Sequence, residues 1–332
     1  MNSSALLIAA IALMSALLCR FYTVLARRWQ FLDEPNERSS HVRPTPHGGG
    51  IALIAAFTMG LIIAAQMLGP WAPPYVLLGA GAVLLAVLGV VDDLLRLAAS
   101  LRFCVYGAIC LAACILLLRP ALPEGLLYAA VLIVGASFAM LWFINLFNFM
   151  DGIDGIAALQ GIFCCTAAAL LSTLNGGSSD YAIFCLLLAA AHSGFLVWNW
   201  PPARLFMGDS GSVSTGFLLA GLAVLGAVEG QVSLFSWLIL PAVFITDASW
   251  TLLWRMATRQ PFTEAHRSHA YQRLSRFWGS HGRVDLFLLA INLAWLLPLA
   301  FLAQLWPAGG LILVILAYVT LLGGMAKIHR LT

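Results

Sequence analysis

The chain has 332 residues, of which 62% are hydrophobic and 9% are charged, and its net charge is +3. A soluble protein carries roughly a quarter charged residues, so a globular core could not bury this much apolar surface. The small net charge gives no indication of a nucleic-acid partner. The apolar runs are long and do not alternate with polar residues, which indicates membrane-spanning helices and not barrel strands.

Eleven apolar segments are long enough to cross a bilayer, which takes about 20 residues. They are expected to begin near Ala5, Gly49, Tyr75, Leu101, Gly125, Gly155, Tyr181, Ser212, Val232, Leu286 and Leu311. The chain starts without a basic region or a small-residue cleavage site, so the first segment is expected to be a retained helix. No soluble domain interrupts the series, and we therefore predict one polytopic, all-α membrane domain over residues 1–332.

The basic residues lie on one side of this predicted arrangement. If the N-terminus is outside, the inner segments hold 15 of the 17 Lys and Arg residues and the outer segments hold only Arg119. By the positive-inside rule, this asymmetry predicts a periplasmic N-terminus. It also predicts cytoplasmic loops near 27–48, 92–101, 145–155, 199–212 and 255–285.

Acidic residues cluster at predicted helix ends on the same inner side. The clusters are Asp92 with Asp93, Asp151 with Asp154, and Asp209. A single acid of this kind could be a loop residue or a helix cap. Converging carboxylates repel each other unless a cation holds them, and a few oxygen ligands suit Mg²⁺ completed by substrate phosphates. Ser210 to Ser212 open the eighth span, where free N–H groups and the helix dipole would suit a phosphate.

Two further polar features stand outside these clusters. His266, Arg267 and His269 lie in the long inner segment after the ninth span, and the two histidines would share a face if the segment is helical. We expect them to bind an anion, because no H-E-x-x-H motif or third ligand supports zinc. Asp247 lies inside the ninth span, where an acid indicates either a functional residue or a buried hydrogen bond to a neighbouring helix.

Four motifs occur in the order found in the polyprenyl-phosphate N-acetylhexosamine-1-phosphate transferases, which start glycan assembly on a lipid carrier. The chain resembles that family from about Asp33 to Leu274 through its double Asp, N-x-x-D-G-I-D-G, G-D-S-G and histidine-loop motifs. The segments P-T-P-H-G-G-G and H-R-S-H-A-Y-Q-R-L look most like bacterial enzymes that initiate O-antigen or similar surface polysaccharide. The triple histidine of the peptidoglycan-precursor branch is lacking here.

The resemblance implies a role for each motif residue. The catalytic residues would be Asp92, Asp93, Asp209, His266 and His269. The substrate-binding residues would be Asp151, Asp154, Phe206 (near the uracil), Arg102, Arg267 and His47. The metal would be Mg²⁺, with Mn²⁺ as a substitute, and its ligands would be Asp209 and Asn148.

The resemblance also implies a reaction and a location. A magnesium-dependent phosphotransferase in the bacterial inner membrane would move an N-acetylhexosamine 1-phosphate from a UDP-sugar to undecaprenyl phosphate and release UMP. Its partners would be those two substrates and membrane lipid, and a homodimer remains open, as do the sugar and the downstream glycan. Direct attack by the lipid phosphate is favoured over a covalent Asp intermediate, because the acceptor is already an anion.

Two alternative functions remain open from the sequence. One is a phospho-N-acetylmuramoyl-pentapeptide transferase of the peptidoglycan-precursor branch. The other is a membrane transporter, which would account for the many spans and for Asp247. A transporter does not account for acids at helix ends on one side, because transporter sites lie near the bilayer midplane.

Overall fold

The computed structural model describes residues 3–35, 43–95, 97–260 and 267–331, and it is 81% helical. The first helices in chain order are α1 (Ser3–Arg28), α2 (Gly50–Leu68), α3 (Pro73–Leu95), α4 (Ala99–Leu118), α5 (Leu126–Met150), α6 (Ile156–Leu174), α7 (Ser179–Asn199) and α8 (Asp209–Val228). They are followed by α9 (Leu234–Ile239), α10 (Ala242–Ala257), α11 (Ala270–Trp278), α12 (His281–Ile291), α13 (Leu297–Leu305) and α14 (Gly310–Leu331). Leu32–Asp33 (β1) and Thr45–Pro46 (β2) pair as short antiparallel strands.

Ten helical segments of the described chain are long and apolar enough to cross a membrane. They are α1 to α8, the run His281–Leu305 in which a π-helical turn joins α12 to α13, and Pro307–His329. The prediction of an all-α membrane protein is therefore confirmed. Ten of the eleven predicted spans correspond to these ten segments.

The ninth predicted span is two helices instead of one. The break falls between Ile239 and Ala242, where Pro241 has no N–H to continue the helical hydrogen bonds. The six-residue α9 and the 16-residue α10 are each shorter than a bilayer requires.

The helices divide into a central and a peripheral set. In the most apolar stretch of α6 and of α8, 72% of the residues are buried inside the protein, against 17% for the segment that contains α14. The α8 helix packs on α2, α3, α4, α5 and α6. Large apolar side chains on the peripheral helices remain exposed, including Leu126, Leu127, Ile312 and Val319. A surface this apolar suits contact with lipid.

Helices extend into several of the segments that were predicted to be loops. The α3 helix continues through Asp92 and Asp93 to Leu95, and α5 continues to Met150. The segment 255–285 contains the end of α10, all of α11 and the start of α12. The polar residues of these motifs are therefore carried mainly by helix ends, which fixes their positions more firmly than a loop would.

Candidate active site

Arg102 joins two of the acidic motifs. Its Nη1 donates to Asp92 Oδ2 at 2.7 Å and to Asp209 Oδ2 at 3.3 Å. The other oxygen of Asp92 accepts from the backbone N–H of Leu97 at 2.9 Å, in the short connection between α3 and α4. Three helix ends, those of α3, α4 and α8, are thus tied together by charge-assisted hydrogen bonds, which are stronger than neutral ones.

Asn148 connects this group to the end of α5. Its Nδ2 donates to Asp209 Oδ1 at 2.9 Å and to Ser212 Oγ at 2.8 Å. Both carboxylate oxygens of Asp209 are therefore held, one by Asn148 and one by Arg102. Asp209 is the first residue of α8, but no side chain caps that helix from the preceding Gly208.

His47 lies against the second acid of the double Asp motif. Its Nε2 is 3.2 Å from Asp93 Oδ1. Burial acts to lower the pKa of His47, but the hydrogen bond and charge of Asp93, together with the charges of Asp33 and Asp209, raise that pKa overall. His47 Nδ1 and Asp93 Oδ2 are both buried and have no hydrogen-bond partner. Each of these two side chains therefore has one polar atom, His47 Nδ1 or Asp93 Oδ2, that is available to a ligand.

Glycines allow the backbone to close tightly around the start of α8. A Cβ on Gly50 would overlap the backbone of Gly211, and a Cβ on Gly89 would overlap Ser210 N. Gly208 has a φ of 72°, which favours glycine, and a Cβ there would lie 2.9 Å from His47 Nε2. The expected phosphate site at the start of α8 is thus covered by the backbone of α2 and α3. The acids are held close together as a result.

Backbone hydrogen bonds join the segment before α2 to the segment before α8. Phe206 N donates to Pro46 O, Gly49 N donates to Phe206 O and Gly50 N donates to Met207 O, each at 2.8 Å. This pairing fixes His47 beside the G-D-S-G motif. The P-T-P-H-G-G-G and F-M-G-D-S-G segments therefore form one structural unit.

A cleft of about 760 Å³ opens beside this unit. Its walls include three residues that were predicted to bind substrate, Asp154, Phe206 and Arg267. Asp154 Oδ2 accepts from Ala203 N at 2.9 Å and lies 3.3 Å from His281 Nδ1, so Asp154 does not cap α6. The remaining polar lining residues are Arg43, Thr45, Arg276, Ser275, Ser280 and His281. A cleft with three arginines suits an anionic ligand.

Asp151 interacts electrostatically with Asp209 near Arg102 and with Asp154 of the cleft. Burial raises its pKa well above the usual range, and the charges of Asp209 and Asp154 act in the same direction. The nearby His47 acts to lower that pKa. A cation placed near Asp151 would offset the repulsion that its carboxylate experiences from Asp209 and Asp154.

The histidine loop meets the site through α11. His269 is the buried residue that precedes α11, and its backbone is extended, with φ −60° and ψ 146°. The predicted helical pairing of His266 with His269 therefore does not apply at His269, and His266 lies outside the described residues. Tyr271 OH donates to Phe149 O at 3.0 Å, which joins the loop to the N-x-x-D-G motif.

The oxygen donors near Asp209 fit a hard divalent cation. Asp92 and Asp209 share Arg102 as a hydrogen-bond donor, while the neighbouring Asp93 contacts His47 and its buried Oδ2 lacks a partner. No preformed cage of three or more His, Cys, Asp or Glu side chains is found in the described part of the chain. Mg²⁺ commonly uses one or two carboxylates and leaves its other positions to water and substrate phosphates.

Most of the predicted site residues fall into two adjacent groups. The first group is the carboxylate network of His47, Asp92, Asp93, Arg102, Asn148 and Asp209, and the second is the cleft with Asp154, Phe206 and Arg267. Sequence reasoning assigned no role to Arg43, Arg276 or His281, which complete the cleft. Arg43 stands next to the P-T-P-H-G-G-G motif, a proximity that could have indicated it. No comparable signal marks His281.

The chain is similar to a described protein family and to several proteins named as transferases. Residues 75–227 match the family model described as glycosyl transferase family 4. The decaprenyl-phosphate N-acetylglucosaminephosphotransferase of Mycolicibacterium smegmatis is 29% identical, over 85% of this chain and 78% of that protein. A Bacillus subtilis protein named probable undecaprenyl-phosphate N-acetylglucosaminyl 1-phosphate transferase is 28% identical, over 75% of this chain and 71% of that protein. The phospho-N-acetylmuramoyl-pentapeptide-transferase of Phenylobacterium zucineum is 25% identical, over 70% and 75%.

Proposed function

Since this chain belongs to the polyprenyl-phosphate hexosamine-1-phosphate transferases of glycosyl transferase family 4, we propose that it transfers an N-acetylhexosamine 1-phosphate from a UDP-sugar to undecaprenyl phosphate. The observation that supports this most is the convergence of Asp92, Asp93, Asp209 and Arg102 beside a cleft rich in arginine. Phosphoryl transfer needs little covalent chemistry from a protein, but it does need positioning and charge neutralisation of two anions.

The reaction is a direct displacement at the β-phosphorus of the donor. An oxygen of the lipid phosphate forms a bond to that phosphorus, the bond to the bridging oxygen of UMP breaks, and UMP leaves with the electron pair. Both oxygens of Asp92 already accept hydrogen bonds, from Arg102 and from Leu97 N. A carboxylate held in this way is a poor nucleophile, which favours direct attack over a covalent intermediate on Asp92.

Mg²⁺ is the proposed cofactor, with Mn²⁺ as a substitute. Asp209 would bind it through its carboxylate and Asn148 through its amide oxygen, and the donor's phosphates would complete its shell. When bound, the ion neutralises charge on the phosphates that react. Arg102 offsets the negative charge of the protein's own acids, since its guanidinium lies within hydrogen-bond distance of both Asp92 and Asp209.

The cleft is the proposed donor site. Phe206 lines its wall and would stack near the uracil, while Arg267, Arg43 and Arg276 would face the diphosphate. Burial and the charges of Arg273 and Arg267 lower the pKa of Arg276. Cations gathered this closely repel each other, and an anionic ligand would relieve that repulsion.

The active site is proposed to face the cytoplasm of a bacterial inner membrane, with the N-terminus in the periplasm. The one-sided arginines support this orientation. In a Cys-free background, a Ser100→Cys probe next to the site should react with a membrane-impermeant maleimide only after permeabilisation. A Ser179→Cys probe at the opposite end should react in intact cells. Both serines are exposed in the structure, and the reverse labelling would contradict the orientation.

The downstream product is proposed to be a surface polysaccharide of the O-antigen type. The peptidoglycan-precursor transferases are also among the relatives. The donor that the protein uses therefore distinguishes the O-antigen type of function from the peptidoglycan-precursor function. Purified protein with undecaprenyl phosphate should release UMP from a UDP-N-acetylhexosamine and not from UDP-N-acetylmuramoyl-pentapeptide. Release from the pentapeptide donor alone would move the chain to the other branch. Absence of UMP release from all donors would contradict the proposed transfer.

A further inference from the structure

Asp247 is buried near the start of α10, and it accepts hydrogen bonds from the beginning of another helix. Its Oδ1 accepts from Ala270 N and its Oδ2 from Tyr271 N, each at 2.9 Å. Oδ1 also lies 3.3 Å from His269 Nδ1 and 3.2 Å from the hydroxyl of Thr251. The carboxylate thus contacts three consecutive residues of the histidine loop.

These contacts cap the N-terminus of α11, which has no cap from its own side chains. The first N–H groups of a helix have no partner inside the helix, and they attract a negative charge. His269, which occupies the capping position, makes no side-chain cap hydrogen bond. Asp247 on α10 therefore supplies the cap from outside the helix.

The same contacts fix the histidine and connect it to the active site. A carboxylate bonded to one ring nitrogen sets the orientation and the proton position of an imidazole. The ring of His269 stacks on that of Tyr271, with 5.7 Å between centroids and 25° between planes. Tyr271 in turn donates to Phe149 O, one residue after Asn148 in sequence.

We propose that Asp247 is a positioning residue, which holds His269 and the start of α11 against the N-x-x-D-G segment so that the histidine loop can act on the donor. This inference rests on the proposed transfer reaction. It gives the acid inside the ninth predicted span a role in the enzyme, acting through His269 and α11 without touching the substrate.

The first test compares two adjacent side chains on α10. Asp247→Asn keeps the size of the side chain but replaces a carboxylate oxygen by an amide group that cannot accept from a backbone N–H. We expect kcat for UMP release to fall by about 10²-fold, which is the effect of misplacing a catalytic group by about 1 Å. Thr246→Val is the matched control, because Thr246 is buried and its hydroxyl has no partner. It should turn over like wild type.

A second variant removes one of the contacts without touching Asp247. Ala270→Pro deletes the N–H that bonds to Oδ1, and proline is well tolerated at the first position of a helix. The extended backbone of His269 is the conformation that a residue before proline prefers. This variant should lower kcat in the same direction as Asp247→Asn, while the melting temperature in detergent stays near that of wild type.

Coupling to His269 separates positioning from a merely structural role. If Asp247 acts through His269, the double variant Asp247→Asn with His269→Ala should lose little more kcat than His269→Ala alone. Hydrogen exchange at Ala270 and Tyr271 should also quicken in Asp247→Asn, and this readout does not depend on activity. Wild-type exchange in Asp247→Asn, normal turnover, or fully additive losses in kcat would each overturn the inference. An inactive wild type with quickened exchange in the variant would refute the proposed transfer reaction while leaving the docking of α11 by Asp247 supported.

Discussion

The two ends of the helical bundle both carry polar networks, but only one of them is saturated. At the end away from the carboxylates, Gln231 Oε1 accepts from Ser178 N at 2.7 Å and from Ser172 Oγ at 3.0 Å. Tyr75 OH donates to Glu229 Oε2 at 2.9 Å. Within the described residues, no side-chain atom of this group is buried without a partner.

The opposite holds at the carboxylate end. His47 Nδ1, Asp93 Oδ2 and Ser210 Oγ are buried and lack partners. Buried polar groups in native proteins nearly always have partners, and exceptions call for an explanation. Unmet hydrogen-bonding capacity beside clustered carboxylates is expected where a ligand completes the network. The saturated end should therefore contribute stability, and the unsaturated end should contribute activity.

The largest difference between the two ends is expected when one acid is changed at each end. Asp209→Asn should lower turnover by at least roughly 10³-fold, because it removes a metal ligand and charge from the site of phosphoryl transfer. Glu229→Gln at the saturated end should leave turnover unchanged. UMP release from the UDP-sugar, in the presence of undecaprenyl phosphate, measures both variants.

Metal dependence provides the control for this pair. Chelation should abolish the activity of wild type and of Glu229→Gln, and Mg²⁺ or Mn²⁺ should restore it. Near-normal turnover in Asp209→Asn would remove this residue from the metal site.

A smaller effect is expected at Asp92, and it distinguishes direct attack from a two-step route. The second pKa of a phosphate is near 6, so the lipid acceptor is mostly ionised at neutral pH and gains little from a base. Asp92→Asn should therefore keep detectable activity that rises with pH. Wild type should release no UMP without acceptor. A stoichiometric burst of UMP in the absence of undecaprenyl phosphate, lost in Asp92→Asn, would establish a covalent intermediate instead.

The sequence predicted the membrane-spanning fold well because hydrophobic length alone decides it. A run of apolar residues must form a helix in lipid, whatever packs against it. The ninth span shows the limit of this argument. A single proline hardly changes the hydropathy of a long apolar segment. Pro241 nevertheless breaks the helix, because proline has no N–H to continue the helical hydrogen bonds.

The site was predictable where motifs carry the chemistry, and it was not where contacts come from distant segments. The sequence indicated that Asp92 and Asp209 belong together, but not that Arg102 joins them. The partner of Asp247 is 23 residues away in α11, and no local spacing indicates that contact. The close approach of Gly50 and Gly89 to the start of α8 likewise depends on how the helices pack, which no local pattern indicates.

A change at the saturated end should alter stability and leave the chemistry intact. Gln231→Leu removes the acceptor for Ser178 N and Ser172 Oγ, and the fully buried Ser172 hydroxyl left without a partner costs about 1–3 kcal/mol. The melting temperature in detergent should fall, while kcat at a permissive temperature should match wild type. Gln66→Leu is the control, because Gln66 is exposed on α2. A large fall in kcat with unchanged stability would contradict the division of roles between the two ends.

The smallest expected effect is a dependence of stability on pH that is confined to the carboxylate end. The pKa of His47 is raised in the folded protein by Asp93, Asp33 and Asp209, which outweigh the effect of burial. A group with a raised folded pKa stabilises fully below its unfolded pKa of about 6.5, and this contribution is lost as the pH rises through the folded value. The melting temperature of wild type should thus exceed that of His47→Gln by more at pH 6 than at pH 9. The difference between wild type and Gln231→Leu should not change over that range, because Gln231 and its two partners do not titrate there. Equal pH dependence in both pairs would show that the two ends do not differ in this respect, and a larger gap for His47→Gln at pH 9 would reverse the sign of the His47–Asp93 interaction.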